Sequence, residues 1–440
     1  MALGGGTYTS QNKVLPGSYI NFISRAAVSA TVGDRGVAAI GLPFDWGEGG
    51  KILDLTRADL IANSETLFGV DYGSAKLLPL REIFLHANRV LVWRLDGNGD
   101  RAENTYAEAK YAGTAGNSLK IVITLNPDSV EADPQNGTEG DTIYDVFTYY
   151  GDVRKDKQTV RAASELVAND YVTFKTTATL DVVAAGSALT GGTNSDVNAG
   201  AHQAFLTALE AYTPNAVCCA STDSAVKALY KEWAIGMRNE YGIKTQIVAY
   251  AFAADSEAVV NVKNSVDAVY WATGMIAGTA VGASAANRKY DGELTTITAD
   301  YSQTQLANAL KAGEFVLHRV GDDLRVLDDI NSLVTVTAEK GEVFKDNKTI
   351  RVIDQIATDT AAIFAQKYLG TVPNTETGRM SLRADVLAIL GDLRDLSAID
   401  DFDNDEITVE AGEQRNSVVI GVAVTVAGTM TKLYMSCVIA

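Results

Sequence analysis

The chain is expected to fold as a multidomain protein of mixed α/β and all-β units, and three observations predict this. Apolar runs of strand length alternate with helical periodicity over residues 23–96, and again over 189–312. Residues 97–188 instead carry short β-rich runs between closely spaced turn clusters, the pattern of a sandwich or barrel. A length of 440 residues exceeds what a single core organises and suggests roughly two to four domains.

Residues 1–22 are rich in Gly, Thr, Ser and Asn, with too few large apolar groups for a core, and read as an extended arm. A small α/β domain follows over 23–96, with strands at 37–42 and 89–94 and helices at 59–68 and 75–88. Leu77, Leu80, Ile83 and Phe84 share one face of the second helix. The DGNGD turn at 96–100 marks a boundary. In the inserted β-sandwich domain, 97–188, the expected strands lie at 119–125, 143–150 and 171–175.

The second α/β domain, 189–312, opens on the Gly191 and Gly192 turn. Helices are expected at 202–211, 222–240 and 255–262, with strands at 216–220 and 244–250. Val226, Leu229, Tyr230, Trp233 and Met237 recur at helical spacing in the longest helix. An Ala-rich stretch from 268, punctuated by Gly274, Gly278 and Gly282, reads as a tightly packed soluble helix; it is too poor in Leu, Ile and Phe for a membrane span. The C-terminal α+β domain, 313–427, pairs strands 314–319 and 324–327 and adds helices at 349–368 and 381–396. Apolar strands are expected at 417–426 and 432–439, the latter in a C-terminal arm, 428–440. That arm ends on β-forming residues with nothing to blunt a sheet edge, which points to β-augmentation with another chain.

Composition narrows the function. With 37 Lys and Arg against 55 Asp and Glu, the formal charge is −18. Phosphate-backbone binding and attachment to an anionic membrane surface are thereby disfavoured. The three cysteines include no CxxC pair, so neither a zinc site nor a disulfide framework is expected. The N-terminus lacks the basic-then-apolar order of a signal peptide, and synthesis in a cytoplasm is the expectation.

No catalytic motif is complete. His86, His202 and His318 stand alone in the sequence, and Ser284 lacks the second glycine of a nucleophile elbow. Residues 45–51 (DWGEGGK) end like a phosphate-binding loop, yet they begin with Asp45 and are followed by Ile52, which offers magnesium no hydroxyl. Two calcium-like loops, at 96–100 and 401–405, fail at their sixth and twelfth positions. No enzymatic activity, cofactor or metal is expected. Nine carboxylates lie between Asp392 and Glu413, a surface suited to orienting a basic partner.

Several segments in order resemble the tail sheath proteins of contractile phage tails, especially those of Gram-positive phages and phage-like bacteriocins. They are LGGGTYTSQNKVLPG at 3–17, YINF at 19–22, AKYAGTAGN at 109–117, LTGGTN at 189–194, RKYDG at 288–292 and IRVIDQI at 350–356. Ala112 departs from the pattern, where proline is expected. The resemblance implies that the second α/β domain is subtilisin-like in topology only. It also implies a subunit that polymerises as stacked hexameric rings and contracts to drive an inner tube through an envelope. Expected partners are further copies, the inner tail tube protein, and baseplate and tail terminator proteins, with no nucleic acid and no direct membrane contact. Assembly is expected in a bacterial cytoplasm, into a phage tail or a phage-like particle. Inter-subunit arms would use Thr7, Tyr8, Thr9, Val14 and Leu15 at one end, and Leu433, Tyr434, Met435, Val438 and Ile439 at the other. The tube contact would lie on the 381–396 helix, at Arg383, Asp385, Asp392, Arg394 and Asp395. Alternatives are a hydrolase on the subtilisin-like domain, or another tail or baseplate structural protein.

Overall fold

The computed structural model describes residues 5–6, 18–19, 35–130, 141–295 and 297–438. Its largest element is a seven-stranded sheet around Val37–Leu42, which pairs in parallel with Arg89–Arg94 on one side and Ala216–Cys219 on the other. Gln246–Tyr250, Val259–Val262 and Glu314–Phe315 extend it, all parallel. Ile52–Thr56 closes the opposite edge, antiparallel to Arg89–Arg94.

A parallel sheet must be covered on both faces, and strand alternation here supplies two cores. Ala38, Ile40, Val90, Val92, Cys218, Val248 and Val260 face one side, packed with Leu60, Leu80, Trp271 and Met275 from helices Arg57–Phe68, Leu78–Ile83 and Ala268–Gly278. Ala39, Leu91, Trp93, Val217, Cys219 and Ile247 face the other, under Phe205, Leu206 and Tyr230 of helices Ala199–Leu209 and Ser224–Asn239.

The stretches 23–96 and 189–312, expected as separate domains, thus contribute to one sheet. Ala38 faces Ala216 and Ile40 faces Cys218 across the junction. Hydrophobic period identifies a strand but not its neighbour, so pairing across more than 170 residues leaves no local trace.

Two further expectations change. The helix at 255–262 is replaced by strand Val259–Val262, where three valines favour the sheet. Asp255, at φ +49°, breaks any helix there and turns its carboxylate to the backbone N–H groups of Val334 and Thr335. The run 314–319 also splits: Glu314–Phe315 joins the large sheet, while Leu317–Val320 pairs antiparallel with Asp323–Val326.

Within 97–188, strands Leu119–Leu125, Tyr144–Tyr150, Val153–Val160 and Val183–Ala188 form one antiparallel sheet. Ala107–Ala109 and Val172–Phe174 form a second, and both share a core of Leu119, Ile121, Ile123, Val146 and Phe174. Trp46 also belongs to this core, set edge-on to Tyr111 at 5.3 Å, so the core reaches outside the expected boundaries.

Residues 359–392 and 402–423 belong to a second compact unit. In it Leu382, Val386, Ile389 and Leu390 of helix Glu376–Asp395 are buried, and Thr408–Ala411 pairs with Val418–Gly421 as a hairpin. The expected strand at 417–426 is therefore shorter. The one expected at 432–439 takes no strand partner among the described residues.

Candidate assembly surfaces

The candidate catalytic groups are engaged in packing. His202 lies inside the core with Nδ1 2.9 Å from the Tyr230 hydroxyl, and burial holds its pKa below the usual value. His86 places Nε2 3.0 Å from Asp291 Oδ1, an oxygen that also accepts the Trp271 indole N–H at 2.8 Å. His318 sits on hairpin strand Leu317–Val320. Ser284 stands 3.5 Å from Asp329 and accepts the Ala286 N–H.

The glycine-rich loop at 45–51 connects a strand to a strand, not to a helix, so it presents no helix N-terminus to a phosphate. A side chain at Gly47 (φ +113°) would lie 2.3 Å from the Leu67 carbonyl. Gly47 and Gly49 serve close backbone packing, and Gly50, at φ +73°, serves the turn. The carboxyl ends of parallel strands are where α/β sheets usually hold ligands. Here Asp45 is bound there by Lys76 and by Asn194 Nδ2, at 2.9 Å for the latter, and the Lys76 hydrogen bond chiefly lowers its pKa. Asp96, buried, accepts from Arg94 Nε and the Phe44 N–H, both at 2.9 Å.

The short motifs turn out to be joints of the fold. Segments 109–117 and 189–194 meet: Asn117 Nδ2 donates to the Gly192 carbonyl and its Oδ1 accepts the Gly192 N–H, both at 2.8 Å. The RKYDG loop is tied down by buried Glu82, which accepts the Tyr290 hydroxyl at 2.8 Å and the Glu293 N–H at 2.5 Å. In IRVIDQI, Arg351 pairs with Asp329 at 3.2 Å and Asp354 with Arg238 at 2.7 Å, both pairs buried.

Of the helix residues expected at a tube contact, two are committed within the second compact unit. Asp385 accepts from Lys367 Nζ at 2.7 Å and from the Tyr368 hydroxyl. Arg383 donates to the carbonyls of Ile407, at 2.6 Å, and Asn404, fastening the turn before the hairpin. Asp392 is half-buried. Arg394 and Asp395, in the other unit, are exposed and pair with each other at 3.1 Å; Arg394 also lies 3.6 Å from Asp401. Sequence spacing placed all five on the polar side of the helix but could not reveal which ones the chain itself would bind.

The C-terminal segment is the most exposed apolar stretch described. Met430, Leu433, Tyr434, Met435 and Val438 are 99%, 87%, 89%, 81% and 91% exposed. None belongs to a strand or helix. At the other end Gly5–Gly6 pairs in parallel with Ser18–Tyr19. Thr7, Tyr8, Thr9, Val14, Leu15 and Ile439 lie outside the described residues.

Comparison with known proteins points to one family. The family model for the phage tail sheath protein central domain matches residues 195–332, and that for the phage tail sheath C-terminal domain matches 339–440. A protein of the phage-like element PBSX of Bacillus subtilis strain 168 is 30% identical over 477 aligned positions, covering 99% of each chain. The crystal structure of a sheath tail protein from Desulfitobacterium hafniense superposes with a TM-score of 0.81 at 31% identity, covering 95% of this chain and 99% of that one. The helical sheath of the anti-feeding prophage in its contracted state shares the fold, with a TM-score of 0.55 at 11% identity.

Proposed function

This chain belongs to the phage tail sheath family, and from that premise we propose that it is a contractile sheath subunit joined to its neighbours through its terminal segments. It is a structural protein of contractile injection systems. In this reading the subunits stack as hexameric rings around an inner tube, and contraction drives that tube through a bacterial envelope. Baseplate and terminator proteins would meet the two ends of the stack, and assembly would take place in the bacterial cytoplasm. The carrying observation is the C-terminal segment: 11 residues, 428–438, of which five large apolar ones are almost fully exposed. Such a segment suits addition as a strand to a neighbour's sheet edge, and head-to-tail contacts of that kind propagate into open assemblies.

Contraction would release free energy stored in the packing of subunits, with no nucleotide consumed. The loop at 45–51, which leads into strand Ile52–Thr56, supports this by offering no phosphate cradle. Arg394 and Asp395 remain the proposed tube-facing polar residues, since they are exposed.

Negative-stain microscopy of the purified chain tests the reading. The full chain is expected to form hollow tubes wide enough to surround an inner tube. Deleting 428–440 should leave a folded monomer with an unchanged melting temperature and no tubes. Long tubes from the truncated chain would sink the proposed role of this segment.

A further inference from the structure

The C-terminal segment does not emerge from an arbitrary place. Immediately before it, residues 424–427 lie beside 398–400: the Asp400 N–H donates to the Thr425 carbonyl at 2.8 Å, the Ala427 N–H donates to the Ala398 carbonyl at 3.1 Å, and Ile399 and Val426 form an antiparallel bridge. This short ribbon is the last hydrogen-bonded structure of the chain among the described residues. Gly428 follows it, with no atom near the position of a side chain.

The ribbon's inner strand is itself held from below. Ser397 sits at φ +56°, a backbone region that L-residues rarely adopt, so something outside it must fix that turn. The Ser397 carbonyl accepts from Lys348 Nζ at 3.4 Å, and Lys348 is 4% exposed. Carboxylates Asp346 and Asp400 face this ammonium, with Arg351 as the opposing like charge. A second contact holds the same turn, since Gly282 packs so close to the Leu396 carbonyl that a side chain there would come within 2.1 Å.

We propose that Lys348 is a positioning residue for assembly: its buried ammonium pins the 396–400 turn, and through it the 424–427 ribbon, so that the apolar segment always leaves from one point in one direction. A lattice built from such segments needs this, because an exposed strand swinging freely from its root would lose conformational entropy each time it docked. The bearing of the pin on assembly rests on the sheath reading above; the pin itself does not.

Hydrogen–deuterium exchange on the full chain at pH 7 separates the two. Lys348→Met is expected to raise exchange at least tenfold in peptides carrying the Asp400 and Ala427 amides, with strands such as Gln246–Tyr250 unchanged. Lys348→Arg, which keeps the cation, should stay within about threefold of the parent. Asp400→Asn, at an exposed position, should raise the same two peptides by a smaller factor and decides the matter alone if Lys348→Met does not fold. Unchanged exchange in these variants overturns the proposal, as does a rise shared equally by the whole sheet, which would make Lys348 an ordinary stabilising residue. Tube formation is then scored separately, so that loss of the pin and failure of the sheath reading are told apart.

Discussion

At the scale of single residues, stability rests on buried charges that the sequence does not pair. Arg351 and Asp329 are each 1% exposed at the side chain and meet at 3.2 Å; Asp329 also accepts the Ala285 N–H and Asn347 Nδ2. Removing one partner of such a pair strands the other, so Arg351→Met is expected to cost about 3–5 kcal/mol, read as a lower denaturant midpoint with unchanged slope. Asp346 gives a prediction of opposite sign. Burial, reinforced by Asp328 and Asp329, pushes its pKa up to about 6. The native state therefore binds a proton that the unfolded chain has already released, and ionised Asp346 is a penalty above pH 6 that disappears as pH falls toward 4. Asp346→Asn should raise stability by on the order of 2 kcal/mol at pH 8, with the gain gone near pH 4, in denaturation curves taken across that range. Neither effect was visible beforehand. Asp354 and Arg238 lie 116 positions apart, and IRVIDQI displays an amphipathic helix without saying what its charges meet.

Among elements, helices were the most legible. Val226, Tyr230 and Met237 are all buried, as their spacing requires, and the Ala-rich stretch forms a packed helix. That helix stops at Gly278, and its glycines allow close backbone packing: a side chain at Gly274 would come within 2.3 Å of the Ile83 carbonyl, and one at Gly278 within 1.8 Å of the His86 carbonyl. Gly278→Ala should cost about 3 kcal/mol, the upper end of overpacking effects, measured as a drop in melting temperature. Strands were less legible. Ile52–Thr56 shows little apolar signal because only Ile52 and Leu55 are buried. The run at 432–439 was expected as a strand; among the described residues it is exposed and has no strand partner, and apolar pattern alone does not say whether an edge is there to receive it.

For the whole molecule, the charge of −18 and the exposed segment pull in opposite directions. Like-charged subunits repel at distances that salt screens, with a Debye length of about 10 Å at 0.1 M and about 3 Å at 1 M. Tube formation at fixed protein concentration should therefore start sooner in about 0.5 M salt than in about 0.02 M, followed by light scattering; the reverse order would mean that ion pairs, not apolar strands, hold the tubes. The hydrophobic pattern also read the class of the molecule correctly, as a multidomain α/β and β chain. What it could not read was which strands from distant stretches are neighbours.

The spliced sheet has a consequence in time. Val37–Leu42 is synthesised long before Ala216–Cys219, its neighbour on one side, and the whole inserted β unit emerges from the ribosome between them. Until then the first half of the sheet exposes a bare parallel edge bearing Ala38, Ala39 and Ile40. Parallel pairing over such sequence separation is slow, because a long loop must close before any contact rewards it. A nascent subunit thus waits half-made, and the insert can finish folding in the interval, shielding Trp46 early.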